Sequence, residues 1–152
     1  MSVEENKAIA RRFINELWNE RKYEVADDIF SEDFVTETIS NNPVPWEGKG
    51  PESMKHHIQH WLMSVPDMQF HVDNLIADEK QVVIHWNATG TSEKPFMGIP
   101  ATGKPIKLLG VTISRIERGK IALNHTIIDT LGFLQQLEVL PDSKAIVEGT
   151  GG

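Results

Sequence analysis

Apolar residues recur at helical spacing at the start of the chain. Ile9, Phe13 and Leu17 lie four apart, and Ala10, Ile14 and Trp18 repeat the interval one position on. That draws a broad apolar face with a period of about 3.6 residues. Ser2 and Glu5 stand just ahead of it at capping-box spacing, where each side chain can satisfy the other's free backbone N–H. A helix is expected from Ser2, fading near Asn19. A second, short helix fits Tyr23 to Phe30, with Val25, Ala26, Ile29 and Phe30 inward. Phe34 to Ile39 reads as a short strand, and Ser40 to Gly50, with Pro43, Pro45, Gly48 and Gly50, as a loop. Pro51 suits a first helical position. Met54, Ile58, Trp61, Leu62 and Val65 then mark a third helix that Pro66 stops.

After Pro66 the period changes. Gln69 to Ala77 and Gln81 to Thr91 read as strands joined by the turn Asp78-Glu79-Lys80. Ser92 to Lys104 is a loop, and Ile106 to Glu117 is a third long strand. Arg118-Gly119-Lys120 is a hairpin turn into a fourth strand, Ile121 to Asp129. Leu131 to Leu137 has room for one or two helical turns. Residues 1–141 read as a single domain, and 142–152, ending in Gly-Thr-Gly-Gly, as a flexible tail. Helices first and a meander afterwards indicate an α+β fold, with helices covering one face of a mostly antiparallel sheet.

Composition narrows the function. The 152 residues carry 15 Lys+Arg against 22 Asp+Glu, a net charge of -7. Such a chain lacks the cations that displace phosphate counterions, so neither nucleic acid nor an anionic membrane is an expected partner. The absence of cysteine excludes disulfides, thiolate catalysis and Cys-based metal sites. With a charged N-terminus and no long apolar run, a cytoplasmic location is expected.

Several side chains could carry chemistry. His56 and His60 lie one helical turn apart beside Glu52, a spacing that can hold a metal. The stripe lies opposite Met54, Ile58 and Trp61, however, and is expected to face water; no metal site is expected. Asn87-Ala-Thr89 and Asn124-His-Thr126 match the glycosylation sequon but sit inside expected strands. Asp129 ends the apolar segment His125-Thr-Ile-Ile-Asp129. A carboxylate there is expected to be desolvated, which raises its pKa and fits it for general acid or base work. On strand alternation His125, Ile127 and Asp129 share one face. His85 is a second titratable group in an apolar strand, although parity leaves open whether His85 or Trp86 faces inward. The structural reading of Asp129 is a cap on the helix beginning at Leu131; for each histidine it is a satisfied core side chain.

The order of several short pieces resembles the SnoaL-like polyketide cyclases (ester cyclases) of the nuclear-transport-factor-like superfamily. They include Glu5-Asn-Lys, Phe13 and Trp18-Asn-Glu; Phe30-Ser-Glu-Asp-Phe34; Gly50-Pro-Glu52; Val65-Pro-Asp67; and Thr89-Gly-Thr91. They continue through Phe96-Met-Gly-Ile-Pro-Ala-Thr-Gly-Lys104, Gly110, Arg115, Gly119-Lys-Ile121, Asp129-Thr-Leu-Gly, Gln135-Gln-Leu137 and Pro141. The resemblance implies a cone: a curved sheet wrapped round a pocket and closed by helices. It also implies cofactor-independent enzymes that close a ring by intramolecular aldol condensation of polyketide esters, and a homodimer. The family's acid/base aspartate falls on Asp129. Members commonly have His-Trp where this chain has Asn124-His125, Arg where it has His85, and His where it has Ser92.

The expectation is a cofactor-free cyclase acting on a small apolar carbonyl compound. Asp129 is its base, His85 and His125 are supporting donors, and Trp46, Trp61, Trp18 and Phe13 are candidates for the apolar wall. Two alternatives remain open. One is a ketosteroid-isomerase-like proton shuttle, hydratase or epoxide hydrolase; the other is a non-catalytic ligand-binding or dimerisation module.

Overall fold

The computed structural model describes residues 2–151. Helix α1 (Val3–Arg11) begins with the expected capping box: Glu5 N–H donates to Ser2 Oγ at 3.1 Å and Ser2 N–H to Glu5 Oε1 at 3.3 Å. It runs without a break into a π-helical stretch, Arg12–Asn19. The wider turn buries Phe13, Ile14, Leu17 and Trp18 together on one side. Such stretches are rare and tend to occur at functional sites.

Asn19 then anchors this helix to the sheet. Its Nδ2 donates to Phe70 O at 2.9 Å, and Phe70 N–H donates to its Oδ1 at 2.7 Å. Arg21 reinforces the anchor by donating to the carbonyls of Trp18 and Met68.

Helix α2 (Val25–Ile29) passes directly into strand β1 (Phe30–Thr38). The strand therefore starts at Phe30 rather than Phe34, because Phe30 pairs with Ile121 before an irregularity shifts the register by Val35. Helix α3 (Gly50–Ser64) opens at Gly50, whose φ is +76°. A Cβ there would lie 2.7 Å from Glu32 O, so only glycine fits.

The remaining elements are β2 (Gln69–Ala77), β3 (Gln81–Thr91), β4 (Pro105–Glu117), β5 (Lys120–Ile128), α4 (Thr130–Gln136) and α5 (Ser143–Gly151). The segment after Pro141, expected as a tail, thus carries one more helix; Asp142 Oδ1 accepts the Ala145 N–H at 2.8 Å and starts it.

The strands form one open, curved sheet in the order β1-β5-β4-β3-β2. Only β1 and β5 pair in parallel. The helical face holds the core, with Ile14, Leu17, Phe30, Phe34, Ile58, Met68, Val82, Ile84 and Ile121 fully buried. This is the α+β architecture expected from the order of helices and strands. One detail decides what faces inward on β5. Ile116 pairs with Ile121 while Arg115 pairs with Leu123, so Ala122 is an extra residue in the ladder. A bulge of this kind reverses the side-chain alternation beyond it.

Candidate active site

The helices do not fill the concave side of the sheet completely. A cavity of about 160 Å³ remains. Its walls are mostly aromatic: Phe13 and Trp18 come from the π-helical stretch, Trp61 from α3, Phe70 from β2 and Trp86 from β3. Trp46 arrives on the loop between β1 and α3, and its ring packs on Phe34 at 6.0 Å and on His57 at 4.8 Å. Trp18 stacks on Phe70 at 4.4 Å, and Phe70 on Trp86 at 5.0 Å. The sequence candidates Trp46, Trp61, Trp18 and Phe13 therefore all line one space.

A strip of polar side chains crosses the sheet floor of this box. Thr36 and Thr38 of β1 lie opposite Asn124 and Thr126 of the parallel β5, and Thr112 of β4 lies opposite Thr126. Trp86 Nε1–H donates to Thr112 Oγ1 at 3.0 Å, and Thr112 Oγ1 lies 3.2 Å from Thr126 Oγ1. Ser114 Oγ donates to Asn124 Oδ1 at 2.6 Å, which orients the amide and leaves its Nδ2 as a donor. Two buried polar atoms in the lining, Thr36 Oγ1 and Trp46 Nε1, have no hydrogen-bond partner. An unpaired buried donor costs about 1–3 kcal/mol, so a site that keeps one is suited to a ligand oxygen.

His57 is the only titratable side chain among the described residues lining the cavity. It projects from α3 between Trp46 and Trp18, whose rings lie 4.8 and 6.1 Å from its own. Burial, with a smaller contribution from the nearby His60, pushes its pKa down to about 4. The imidazole is therefore neutral at pH 7 and available to donate or accept one hydrogen bond. His56 and His60 stand on the exposed side of α3, as their place opposite the apolar stripe predicted. No cluster of three His, Asp or Glu side chains that could hold a metal occurs among the described residues.

The expected catalytic trio lies elsewhere. On β3, Val82, Ile84, Trp86 and Ala88 turn inward, so Trp86 faces the cavity and His85 is exposed on the opposite face. On β5 the bulge at Ala122 brings Asn124, Thr126 and Ile128 inward. His125, Ile127 and Asp129 do share one face, as expected, but it is the outer one. There His125 Nε2 pairs with Glu37 Oε2 at 2.9 Å. Asp129 is exposed rather than desolvated, and its Oδ1 accepts the Gly132 N–H at 2.9 Å as the N-cap of α4.

Asn124, Thr126, Thr112 and His57 are the site residues that the sequence reading missed. Asn124 carried a signal, since a polar side chain central to an apolar strand needs a buried partner. Both sequon asparagines, Asn87 and Asn124, are buried.

A larger, open trough of about 670 Å³ runs outside, between Arg11 and Asn15 and the edge strand β2. Its lining is largely polar, and it lies open to solvent instead of enclosing a space.

Comparison with known proteins agrees with this architecture. The family model for SnoaL-like polyketide cyclase matches residues 8–137. No curated protein sequence matches significantly. TsrD from Streptomyces laurentii superposes with a TM-score of 0.80 at 24% identity, over 92% of this chain and 99% of its own. AclR from Streptomyces galilaeus, a candidate hydroxylase, gives 0.80 at 25% identity over 99% and 92%. A candidate polyketide cyclase from Acidithiobacillus ferrooxidans gives 0.77 at 29% identity over 91% and 99%. The cone with its aromatic cavity and the extent of the family match together assign the chain to the SnoaL-like polyketide cyclase family.

Proposed function

We propose that the protein is a cofactor-free enzyme that takes a small, largely apolar carbonyl compound into the inner cavity and promotes an aldol-type ring closure there. The observation that carries this reading is the composition of the lining: an aromatic box, a strip of neutral hydrogen-bond donors, and a single titratable group, His57. In such a closure a C–H beside one carbonyl loses its proton, and the enolate carbon attacks a second carbonyl of the same molecule. The new alkoxide then takes up a proton. Neutral His57 can accept the first proton and return it to the alkoxide. Asn124 Nδ2 and a threonine hydroxyl are suited to the enolate oxygen, since fixed donors in a dry site need no reorganisation as charge develops. Confining both carbonyls in one small box lowers the entropic part of the barrier.

Asp129, His125 and His85 take no part in this reading, which is supported by their absence from the cavity lining and by the exposure of Asp129 as the cap of α4. The depressed basicity of His57 favours a second reading, in which the cavity only binds and polarises the carbonyl compound. We also propose a cytoplasmic homodimer formed through the outer sheet face, where Leu109 and Ile127 are 47% and 46% exposed. No helix among the described residues is long and apolar enough to cross a membrane.

The test is turnover of a small linear diketone, read as the cyclic hydroxyketone by gas chromatography. Ring closure lost in His57→Gln and kept in Asp129→Asn supports the proposal. Closure lost in Asp129→Asn and kept in His57→Gln returns the base to Asp129. Binding without closure in the wild type supports the second reading.

A further inference from the structure

The hydroxyls of Thr112 and Thr126 are unusual guests in an aromatic wall. Valine has the same shape at both positions and no polar atom to bury. The two hydroxyls and the Trp86 indole bring three hydrogens to a chain with only two links, Trp86 Nε1–H to Thr112 Oγ1 at 3.0 Å and Thr112 Oγ1 to Thr126 Oγ1 at 3.2 Å. Neither hydroxyl makes any other hydrogen bond. One hydrogen is therefore left over.

The direction of the chain follows from its first member. An indole N–H can only donate, so Thr112 accepts there. A hydroxyl that accepts a hydrogen bond becomes a better donor in turn. The favoured order is Trp86 to Thr112 to Thr126, with the surplus hydrogen on Thr126. Thr126 borders the cavity, and Asn124, two residues back on the same strand, also faces it.

The backbone is shaped for this contact. Trp86 pairs across the ladder with Gly110. A Cβ on Gly110 would lie 2.3 Å from the indole Cζ2. The bare backbone lets the ring lie flat over β4 and reach the hydroxyl of Thr112.

We propose that Trp86, Thr112 and Thr126 form a directed hydrogen-bond chain whose surplus hydroxyl hydrogen, on Thr126, makes a subsite for an acceptor oxygen of the ligand. This rests on the reading of the cavity as a carbonyl-compound site and names which residues select and polarise the oxygen. The three members are uncharged: an indole N–H and two alcohol hydroxyls have no proton to gain or lose in the ordinary pH range. Thr126 is a binding residue here; Trp86 and Thr112 act through it as positioning residues.

The probes are cyclohexanone and methylenecyclohexane, which share a shape while only the ketone carries an acceptor. Binding is followed by calorimetry, and the bound ketone by the infrared frequency of its carbonyl. In the wild type both probes are expected to bind, with the carbonyl band shifted to lower frequency than in hexane. Thr126→Val should abolish that shift and weaken the ketone about 5- to 10-fold, while methylenecyclohexane binds as before or more tightly. That loss corresponds to about 1.0–1.4 kcal/mol, the size of one hydrogen bond. Thr126→Ser should restore the shift. Trp86→Phe should reduce it without abolishing it.

An unchanged band and unchanged ketone affinity in Thr126→Val, with both probes still bound, would overturn the subsite and leave the cavity reading intact. If neither probe bound the wild type, the cavity reading would fail and the subsite with it.

Discussion

His57 gives a direct stability test of the cavity. Its pKa falls from an ordinary 6.5 to about 4 because the folded protein desolvates the imidazole. Above pH 6.5 both folded and unfolded chains hold it neutral, and it contributes no pH dependence. As pH drops below 6.5 the unfolded chain takes up the proton and the folded chain does not. The unfolded state then binds more protons, so stability falls with falling pH until about pH 4, where the folded state protonates as well. Each pKa unit is worth about 1.4 kcal/mol; between pH 7.5 and 4.5 this single group should remove about 2–3 kcal/mol. The assay is urea denaturation at half-unit pH intervals for the wild type, His57→Gln and His57→Phe. The variants differ from the wild type in baseline stability, so the quantity of interest is the difference in slope. Both variants should lack the extra loss between pH 6.5 and 4.5. The lowered pKa values of Asp67 and Asp78, which accept backbone N–H bonds, act below this window. Slopes that superimpose for all three proteins would refute the buried, neutral imidazole, and with it the placing of His57 as the cavity's proton-transfer group.

Other perturbations reach different parts of the account. Asp129→Ala should lose about 1 kcal/mol in chemical denaturation through its cap on α4, while Asp129→Asn, which caps equally well, should be close to neutral and stay active. Gly110→Ala drives a Cβ into the Trp86 indole; overpacking of this kind should cost about 1–3 kcal/mol in denaturation and weaken cyclohexanone binding. Light scattering across micromolar concentrations should report a dimer for the wild type and a monomer for the pair Leu109→Lys and Ile127→Lys.

The helices and strands were legible because their signals are local. The Ser2–Glu5 box, the apolar stripes and the Arg118-Gly119 turn each act within a few residues. That the aromatic side chains gather round one space was legible too, since a tryptophan in an amphipathic pattern has to be sheltered somewhere. The polar half of the site was not. Unbroken alternation from the buried Ile121 would turn His125 and Asp129 inward. One extra residue at Ala122 inverted it, and an alanine among aliphatic neighbours gives no warning of a bulge. Nothing local in the sequence singles out His57, because its shelter, Trp46, comes from a loop distant in sequence. The apolar neighbours of Asp129 in sequence suggest desolvation, yet Ile127 and Leu131 are themselves exposed, and the carboxylate accepts the Gly132 N–H at the surface.

The central claim is that chemistry takes place inside the box, on the Trp86 side of the sheet, and not on the outer face that carries Asp129. A crystal structure with cyclohexanone soaked in tests it most directly. The expected result is ring density between Trp18, Trp46 and Trp86, with the ketone oxygen within hydrogen-bond distance of Thr126 Oγ1. Density against His85, His125 and Asp129, with the inner cavity empty, would contradict it.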